Sequence, residues 1–269
     1  MADILRAVFL GIVQGLTEFL PVSSSAHLNI MPWLFKWDNI PDSFDLALHA
    51  GTLLAILIFF YKDWLALIKG GYKTAVKKEK STDGRLFWLI VIATVPAGIL
   101  GLLLEKLVDK AVGGNMNVEM LVISLALIIM GVLLYIADKK CKSTVSYKKM
   151  PAKSALLIGT SQALAAAVPG VSRSGITMTV SRACGLDRES AAKYSFLLSA
   201  PIVAAAVLVK IRDFTLSVPF FVGIAASFIS GILVIKFLMN FLKKGSYKVF
   251  AIYRVILGIA IFAIALTRM

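Results

Sequence analysis

Long apolar runs constrain this chain more than any other feature of its sequence. Four of them, residues 47–61, 86–104, 118–137 and 250–266, carry few or no charges, and most approach the roughly 20 residues that a helix needs to cross a bilayer. Of the 269 residues, 59% are hydrophobic and 16% are charged. In a typical soluble domain about half of the residues are hydrophobic and about a quarter are charged. The sequence therefore predicts an all-α polytopic membrane protein, with residues 1–269 in a single membrane domain.

The basic residues indicate how the chain is oriented in the membrane. Although the formal net charge is +14, the lysines and arginines cluster in connectors between apolar runs, at residues 62–85, 139–153 and 243–248. A nucleic-acid surface would instead spread them along one face, so membrane lipids are the expected surroundings and nucleic acid is not an expected partner. The positive-inside rule places the connectors in the cytoplasm. Six transmembrane helices satisfy that placement: 44–61, 86–104, 118–137, 190–209, 218–237 and 249–268.

Two further helical segments are broken in the middle, residues 3–35 at Pro21 and residues 154–186 at Pro169. Residues 11–24 align without a gap with residues 159–172, and the shared positions are Gly, Gln, Leu, Pro and Ser. The chain thus divides into similar halves, 1–140 and 150–269, each with three spans after its broken segment. Because three is odd, the halves have opposite orientations, and the broken segments are predicted to be two re-entrant helix hairpins in an inverted-topology repeat.

The first hairpin carries a polar set around its break. Gln14 and Glu18 are four residues apart, so they lie on one face of the helix that ends at Pro21. A serine run supplies an N-cap for the return helix, whose free amides form an anion site: Ser23, Ser24 and Ser25. His27 follows Ser24 by three residues and lies in the same first turn. We therefore expect a hydroxyl, an imidazole and a carboxylate to converge here.

The second hairpin repeats this design. Ser172 is the expected cap, Ser174 and Thr177 add hydroxyl groups, and Arg173 lies among the free amides. The guanidinium offers planar donors that suit phosphate, and Gly175 permits close approach of the backbone to a ligand. Two helix N-termini that meet in the membrane suit a diphosphate.

The segments QGLTEFLPVSSSAH and PGVSRSG resemble the two signature motifs of the undecaprenyl diphosphate phosphatase family, which is linked to bacitracin resistance. The resemblance covers nearly the whole chain. It implies hydrolysis of a polyprenyl (undecaprenyl) diphosphate to the monophosphate lipid carrier and phosphate, which recycles the carrier of cell-wall precursors. Four residues match the family's catalytic set: Glu18, Ser24, His27 and Arg173. Seven others are expected to bind substrate: Gln14, Ser23, Ser25, Ser172, Ser174, Gly175 and Thr177.

The resemblance also implies a cofactor and a location. A divalent cation, Mg²⁺ or Ca²⁺, is expected to bind Glu18 together with the phosphates. Gln14 occupies a position that is often Glu in the family, so Glu18 is the sole carboxylate of the two motifs. The protein is expected in the bacterial cytoplasmic (inner) membrane with its site open to the outer face, as a monomer or a homodimer. Asp45 and His49 begin the first full span from its outer end; either can line the mouth of the site, but we favour solvation there.

The residues leave alternatives open for the mechanism and for the class of protein. We favour attack by Ser24 with His27 as the base, but attack by His27 itself or by an activated water also fits. A secondary transporter or lipid-carrier flippase with a midplane anion site has the same inverted repeats. Phosphate release in detergent, where no gradient exists, distinguishes an enzyme from a transporter.

Overall fold

The computed structural model describes residues 2–37, 41–112, 115–141 and 143–268, and the regular structure of these ranges is helical. Two single-turn 3₁₀ helices, Tyr147–Lys149 and Ile211–Asp213, lie in connectors. The α-helices are α1 (Ala2–Phe19), α2 (Ser24–Phe35), α3 (Asp42–Phe59), α4 (Tyr61–Val76), α5 (Thr82–Val112), α6 (Met116–Lys140), α7 (Ala152–Ala167), α8 (Arg173–Ala183), α9 (Arg188–Val209), α10 (Val218–Leu242) and α11 (Lys248–Thr267).

Five of these helices are long and apolar enough to cross a membrane: α5, α6, α9, α10 and α11. Helices α3 and α4 meet at a bend of 79° and together supply a sixth candidate among the described residues. The predicted all-helical, multi-pass membrane protein is therefore confirmed. Apolar side chains such as Leu233 (62% exposed) and Ile256 (63% exposed) cover the outer surface of these helices, where lipid replaces water.

Helix α4 occupies a segment that the sequence analysis treated as a basic connector. It carries exposed apolar side chains, among them Leu65, Ile68 and Tyr72, together with lysines at positions 62, 69 and 73. An amphipathic composition of this kind is typical of helices that lie in the membrane interface, with the apolar face toward the acyl chains and the lysines toward the headgroups. A count of charges does not reveal this helix, because its apolar residues recur at helical spacing between the lysines and do not form a continuous apolar run.

Small residues let the first helix of each broken pair approach a long span closely. A β-carbon added at Gly11 of α1 would lie 2.7 Å from the Ala226 Cβ of α10. One added at Gly159 of α7 would lie 2.3 Å from the Ala93 Cβ of α5. Contacts of this kind are typical of helix packing in membranes, where small residues bring backbones together. Helix α1 thereby packs along α10, and α7 packs along α5.

The two helix breaks meet inside the bundle. The Ser174 hydroxyl of α8 donates a hydrogen bond to the Leu20 carbonyl in the first break, at 3.1 Å. Arg254 of α11, which is 0% exposed, donates to the carbonyls of Pro21 (3.2 Å) and Gly170 (2.8 Å) and so joins one break to the other. Backbone groups freed by a break at membrane depth need such partners, because lipid offers none.

Candidate active site

A cavity of about 360 Å³ lies where the N-termini of α2 and α8 meet. Its apolar side is formed by residues of α7 and α9, including Ala166 and Val203. Its polar side chains come from five helices and from the cap before α8: Glu18, Ser24, Ser25, Asp45, His49, Gln162, Ser172, Arg173 and Ser174. Six of the eleven residues predicted to form the site therefore line this cavity.

Serine caps begin both helices at the cavity. The Ser23 hydroxyl accepts a hydrogen bond from the Ala26 amide at 3.3 Å, and the Ser172 hydroxyl accepts one from the Gly175 amide at 3.0 Å. Both caps have positive φ, 77° at Ser23 and 69° at Ser172, which costs a residue with a side chain about 1–3 kcal/mol. The ungapped alignment pairs Ser24 with Ser172. The two N-caps are Ser23 and Ser172, so the cap of α2 lies one residue before the position that the alignment gives. The reason is that the first break spans residues 20–23 and the second spans residues 168–172.

Glu18 is the centre of the polar contacts. Its side chain is 6% exposed, and Arg173 donates from Nη2 to Oε1. The Ser24 hydroxyl donates to Oε2 at 2.6 Å, and the Gln14 amide donates to the same oxygen at 3.1 Å. A hydroxyl bonded this closely to a carboxylate is strongly polarised, because hydrogen bonds to an ionised group are the shorter and stronger kind. The arrangement can therefore take a proton from Ser24.

Four of the predicted substrate-binding residues lie behind the cavity wall: Gln14, Ser23, Gly175 and Thr177. The Thr177 hydroxyl bonds to the Ser195 hydroxyl at 2.6 Å and to the Arg173 carbonyl at 2.8 Å, which fixes α8 against α9. A β-carbon at Gly175 would lie 2.5 Å from Nη1 of Arg254. Gly175 thus makes room for a buried guanidinium and is not among the residues that line the cavity.

His27 is 5% exposed and points away from Ser24. Its Nδ1 lies 2.6 Å from the Ser23 carbonyl, and its Nε2 lies 2.6 Å from the Tyr253 hydroxyl. A carbonyl oxygen can only accept, so Nδ1 carries the proton and Nε2 of the neutral ring accepts from Tyr253. Both ring nitrogens are therefore engaged, and the expected pairing of this imidazole with Ser24 is absent from the contacts of the described residues.

His49 lines the cavity instead. Its Nδ1 lies 3.0 Å from the Asp45 carbonyl, and its Nε2 lies 3.7 Å from Oε2 of Glu18. Both Asp45 and His49 line the cavity, as the alternative interpretation has it, and the favoured interpretation as solvated groups is wrong for His49, whose side chain is 24% exposed and faces the carboxylate. A histidine one turn inside an apolar span was the signal that could have identified it, because polar groups at that depth usually mark a site.

Mg²⁺ and Ca²⁺, the cations that the resemblance implies, bind through oxygen ligands. Among the described residues there is no group of three or more His, Cys, Asp or Glu side chains that could hold a metal ion. The Gln14 amide nitrogen bonds to Glu18, and its side-chain carbonyl oxygen is buried without a hydrogen-bond partner in the described part of the chain, behind the cavity wall. Glu18 lines the cavity and Gln14 does not, so Glu18 fits a cation that takes most of its ligands from phosphate and water.

Comparison with known proteins gives one consistent family. The model of the family described as bacitracin resistance protein BacA matches residues 7–260. A protein of Pelotomaculum thermopropionicum named undecaprenyl-diphosphatase is 43% identical over 268 residues, covering 98% of each chain. Relatives with the same name from Caldicellulosiruptor bescii (44% identical) and Gemmatimonas aurantiaca (43% identical) each cover 98% of both chains. The cavity at the two serine-capped breaks therefore belongs to a member of the BacA family of bacitracin resistance proteins.

Proposed function

We propose that this protein hydrolyses the terminal phosphoanhydride of undecaprenyl diphosphate, releasing phosphate and the monophosphate lipid carrier for cell-wall synthesis. The names of its relatives support this activity. The observation that carries it is the contact of one carboxylate, Glu18, with both a serine hydroxyl and a guanidinium where two helix N-termini meet. Phosphoryl transfer needs positioned groups and positive charge of this kind.

The cavity is suited to hold the diphosphate while the prenyl tail stays in lipid. Free amides at the N-termini of α2 and α8 favour anions, and Arg173 adds a planar pair of donors for phosphoryl oxygens. The opposite side of the cavity is apolar, with Ala165, Ala166 and Ile202 among its residues. The prenyl tail leaves the cavity along this side, because small apolar side chains there keep its apolar surface out of contact with water.

The chemistry begins with the Ser24 hydroxyl. Its oxygen attacks the terminal phosphorus and its proton passes to Oε2 of Glu18. The bond to the bridging oxygen breaks, and the departing monophosphate carrier takes the proton from Glu18, which becomes a carboxylate again. Arg173 moves from Glu18 to the phosphoryl oxygens, which leaves a more basic carboxylate and offsets the charge of the transition state. A water then hydrolyses the phosphoserine.

Glu18 replaces His27 as the base in this scheme, because both ring nitrogens of His27 are bonded elsewhere. His27 acts through the Ser23 carbonyl, which it holds at 2.6 Å, and so positions the cap of α2. A Mg²⁺ or Ca²⁺ ion would be held by Glu18, with its other ligands from phosphate and water, and when bound it would neutralise charge on the diphosphate.

We further propose that the halves 1–140 and 150–269 form an inverted-topology repeat with two re-entrant hairpins. Two corresponding contacts support it. Gly11 meets Ala226 as Gly159 meets Ala93, and these positions correspond when residues 97–100 are aligned with 230–233. The site then opens to the outer face of the cytoplasmic membrane. Hydrolysis by intact cells of a water-soluble, short-chain diphosphate supplied outside would support that orientation.

The test is phosphate release by the purified protein in detergent, where no gradient can drive transport. Ser24→Ala should bind the substrate but lose nearly all turnover, since the nucleophile is gone. Ser161→Ala is the matched control, because its hydroxyl bonds at 2.7 Å to the Ile158 carbonyl of its own helix. A Ser24→Ala variant that keeps more than about a tenth of the wild-type rate, a barrier change of under about 1.4 kcal/mol, would rule out Ser24 as nucleophile. Absence of phosphate release by the wild type would favour a transporter.

A further inference from the structure

The chain has two histidines, and the structure describes both. His27 has each ring nitrogen within 2.6 Å of a partner, the Ser23 carbonyl and the Tyr253 hydroxyl. In His49, Nδ1 has a close partner, the Asp45 carbonyl at 3.0 Å, whereas Nε2 faces the cavity and Glu18. The imidazole nitrogen that can act in the cavity therefore belongs to His49.

The contact at Nδ1 fixes what the other nitrogen can do. The Asp45 carbonyl, 3.0 Å from Nδ1, can only accept a hydrogen bond, so Nδ1 carries the ring proton. In the neutral form of the ring, which is the form that can take a proton from water, Nε2 is then an acceptor. It lies 3.7 Å from Oε2 of Glu18, which is also an acceptor and too far away for a direct hydrogen bond.

Nε2 of His49 and Oε2 of Glu18 can both accept from one water molecule, which lies beside the line that joins them and donates a hydrogen to each. The water would lie close to the nucleophile, because Oε2 also accepts the Ser24 hydroxyl at 2.6 Å. The site as proposed needs such a water, since the phosphoserine must be hydrolysed after the carrier leaves. In other phosphoryl-transfer sites a single side chain orients the attacking water.

We propose that His49 and Glu18 together hold the water that hydrolyses the phosphoserine, which makes His49 a positioning residue of the second step. This inference rests on the proposed function. The water oxygen forms a bond to phosphorus while the bond from phosphorus to the Ser24 oxygen breaks. The acceptor pair takes one proton from the water and returns it to the serine oxygen. Water and phosphoserine thus give serine and inorganic phosphate, and no other reactant is needed.

The experiment compares His49→Leu, which removes the acceptor, with His49→Gln, whose side-chain oxygen can still accept a hydrogen bond from water. For the Leu variant we expect kcat to fall at least about tenfold and KM to fall with it, so that kcat/KM stays within about threefold of wild type, because only the second step is slowed. Rapid mixing should give a burst of about one equivalent of monophosphate carrier per enzyme, and intact-protein mass spectrometry should detect phosphate on Ser24. The Gln variant should recover at least about a third of the wild-type kcat.

Thr52→Val is the matched control on the same helix. Its hydroxyl donates at 2.9 Å to the His49 carbonyl and does not line the cavity, so its loss should leave kcat unchanged. Rates are expressed per folded molecule after size-exclusion chromatography. If the Leu variant fails to fold, His49→Asn takes its place, because the shorter amide cannot reach the water.

Three results would overturn the inference while the wild type still releases phosphate. The first is a Leu variant with kcat within about threefold of wild type. The second is an effect on KM alone, which would indicate a contact with substrate. The third is a Gln variant no better than Leu, which would show that the acceptor is irrelevant. Failure of the proposed function is a different observation, namely a wild-type protein that releases no phosphate.

Discussion

Replacing Arg254 with methionine is expected to disconnect the two helix breaks that form the site. The guanidinium donates to the Pro21 carbonyl of the first break at 3.2 Å. In the second break it donates to the Gly170 and Val171 carbonyls, at 2.8 and 3.0 Å. Methionine keeps most of the apolar stem and none of the donors. Three carbonyl groups would then be buried at membrane depth without these partners.

The magnitude follows from these contacts. An unsatisfied buried acceptor costs about 1–3 kcal/mol, and hydrogen bonds within membrane proteins average about 0.6 kcal/mol in double-mutant cycles. Removing a buried cation also relieves a desolvation cost, which offsets part of the loss. We therefore expect Arg254→Met to lower the free energy of unfolding by about 2 to 4 kcal/mol and Tm by about 5 to 15 °C.

Thermal unfolding in detergent and phosphate release per folded molecule provide the measurements. Turnover should fall at least about tenfold, because the breaks place Ser24 on one side of the cavity and Arg173 on the other. Arg212→Met is the control, since Arg212 is exposed and its replacement should change stability by no more than about 0.5 kcal/mol. An Arg254→Met variant with the stability of that control would refute the role of the guanidinium as the link between the breaks.

Substitutions at three further positions probe the site and its packing. Arg173→Lys should lower turnover at least about tenfold in phosphate-release assays, because an ammonium lacks the planar pair of donors, and Arg173→Ala should lower it further. Normal turnover in the folded Ala variant would instead indicate that Arg173 is only a structural partner of Glu18. Gly175→Ala should lower Tm, since the new β-carbon would lie 2.5 Å from Nη1 of Arg254, and an unchanged Tm would contradict this crowding. Gly159→Val should reduce the yield of folded protein by separating α7 from α5, which size-exclusion chromatography would detect.

The helical membrane architecture could be predicted from the sequence because lipid leaves the chain few choices. A backbone in hydrocarbon must satisfy its own hydrogen bonds, so apolar runs of sufficient length become helices. Residues 118–137 and 218–237, for example, lie within α6 and α10. The breaks were also local: proline interrupts the chain near residues 21 and 169, and serines at 23 and 172 cap the helices that follow.

Contacts set by helical spacing were predictable for the same reason. Gln14 and Glu18 are four residues apart, and the structure joins their side chains at 3.1 Å. The alignment of the two broken segments is out of register by one residue after the prolines, because the breaks differ in length by one residue. Periodicity continues along a helix but not through an irregular turn, so register beyond the break depends on the turn itself.

Tertiary structure alone decided which side chains meet across helices. Glu18 pairs with Arg173, 155 positions away, and His27 turns toward Tyr253 while His49 turns toward Glu18. These outcomes depend on how each helix is rotated about its axis and how far it is shifted along its neighbour. Packing of small residues such as Gly11 and Gly159 sets both quantities, and a pattern within one helix carries no information about the rotation of another. The sequence thus determined a membrane bundle with two capped breaks, while helix packing determined that His49, and not His27, lies beside the carboxylate.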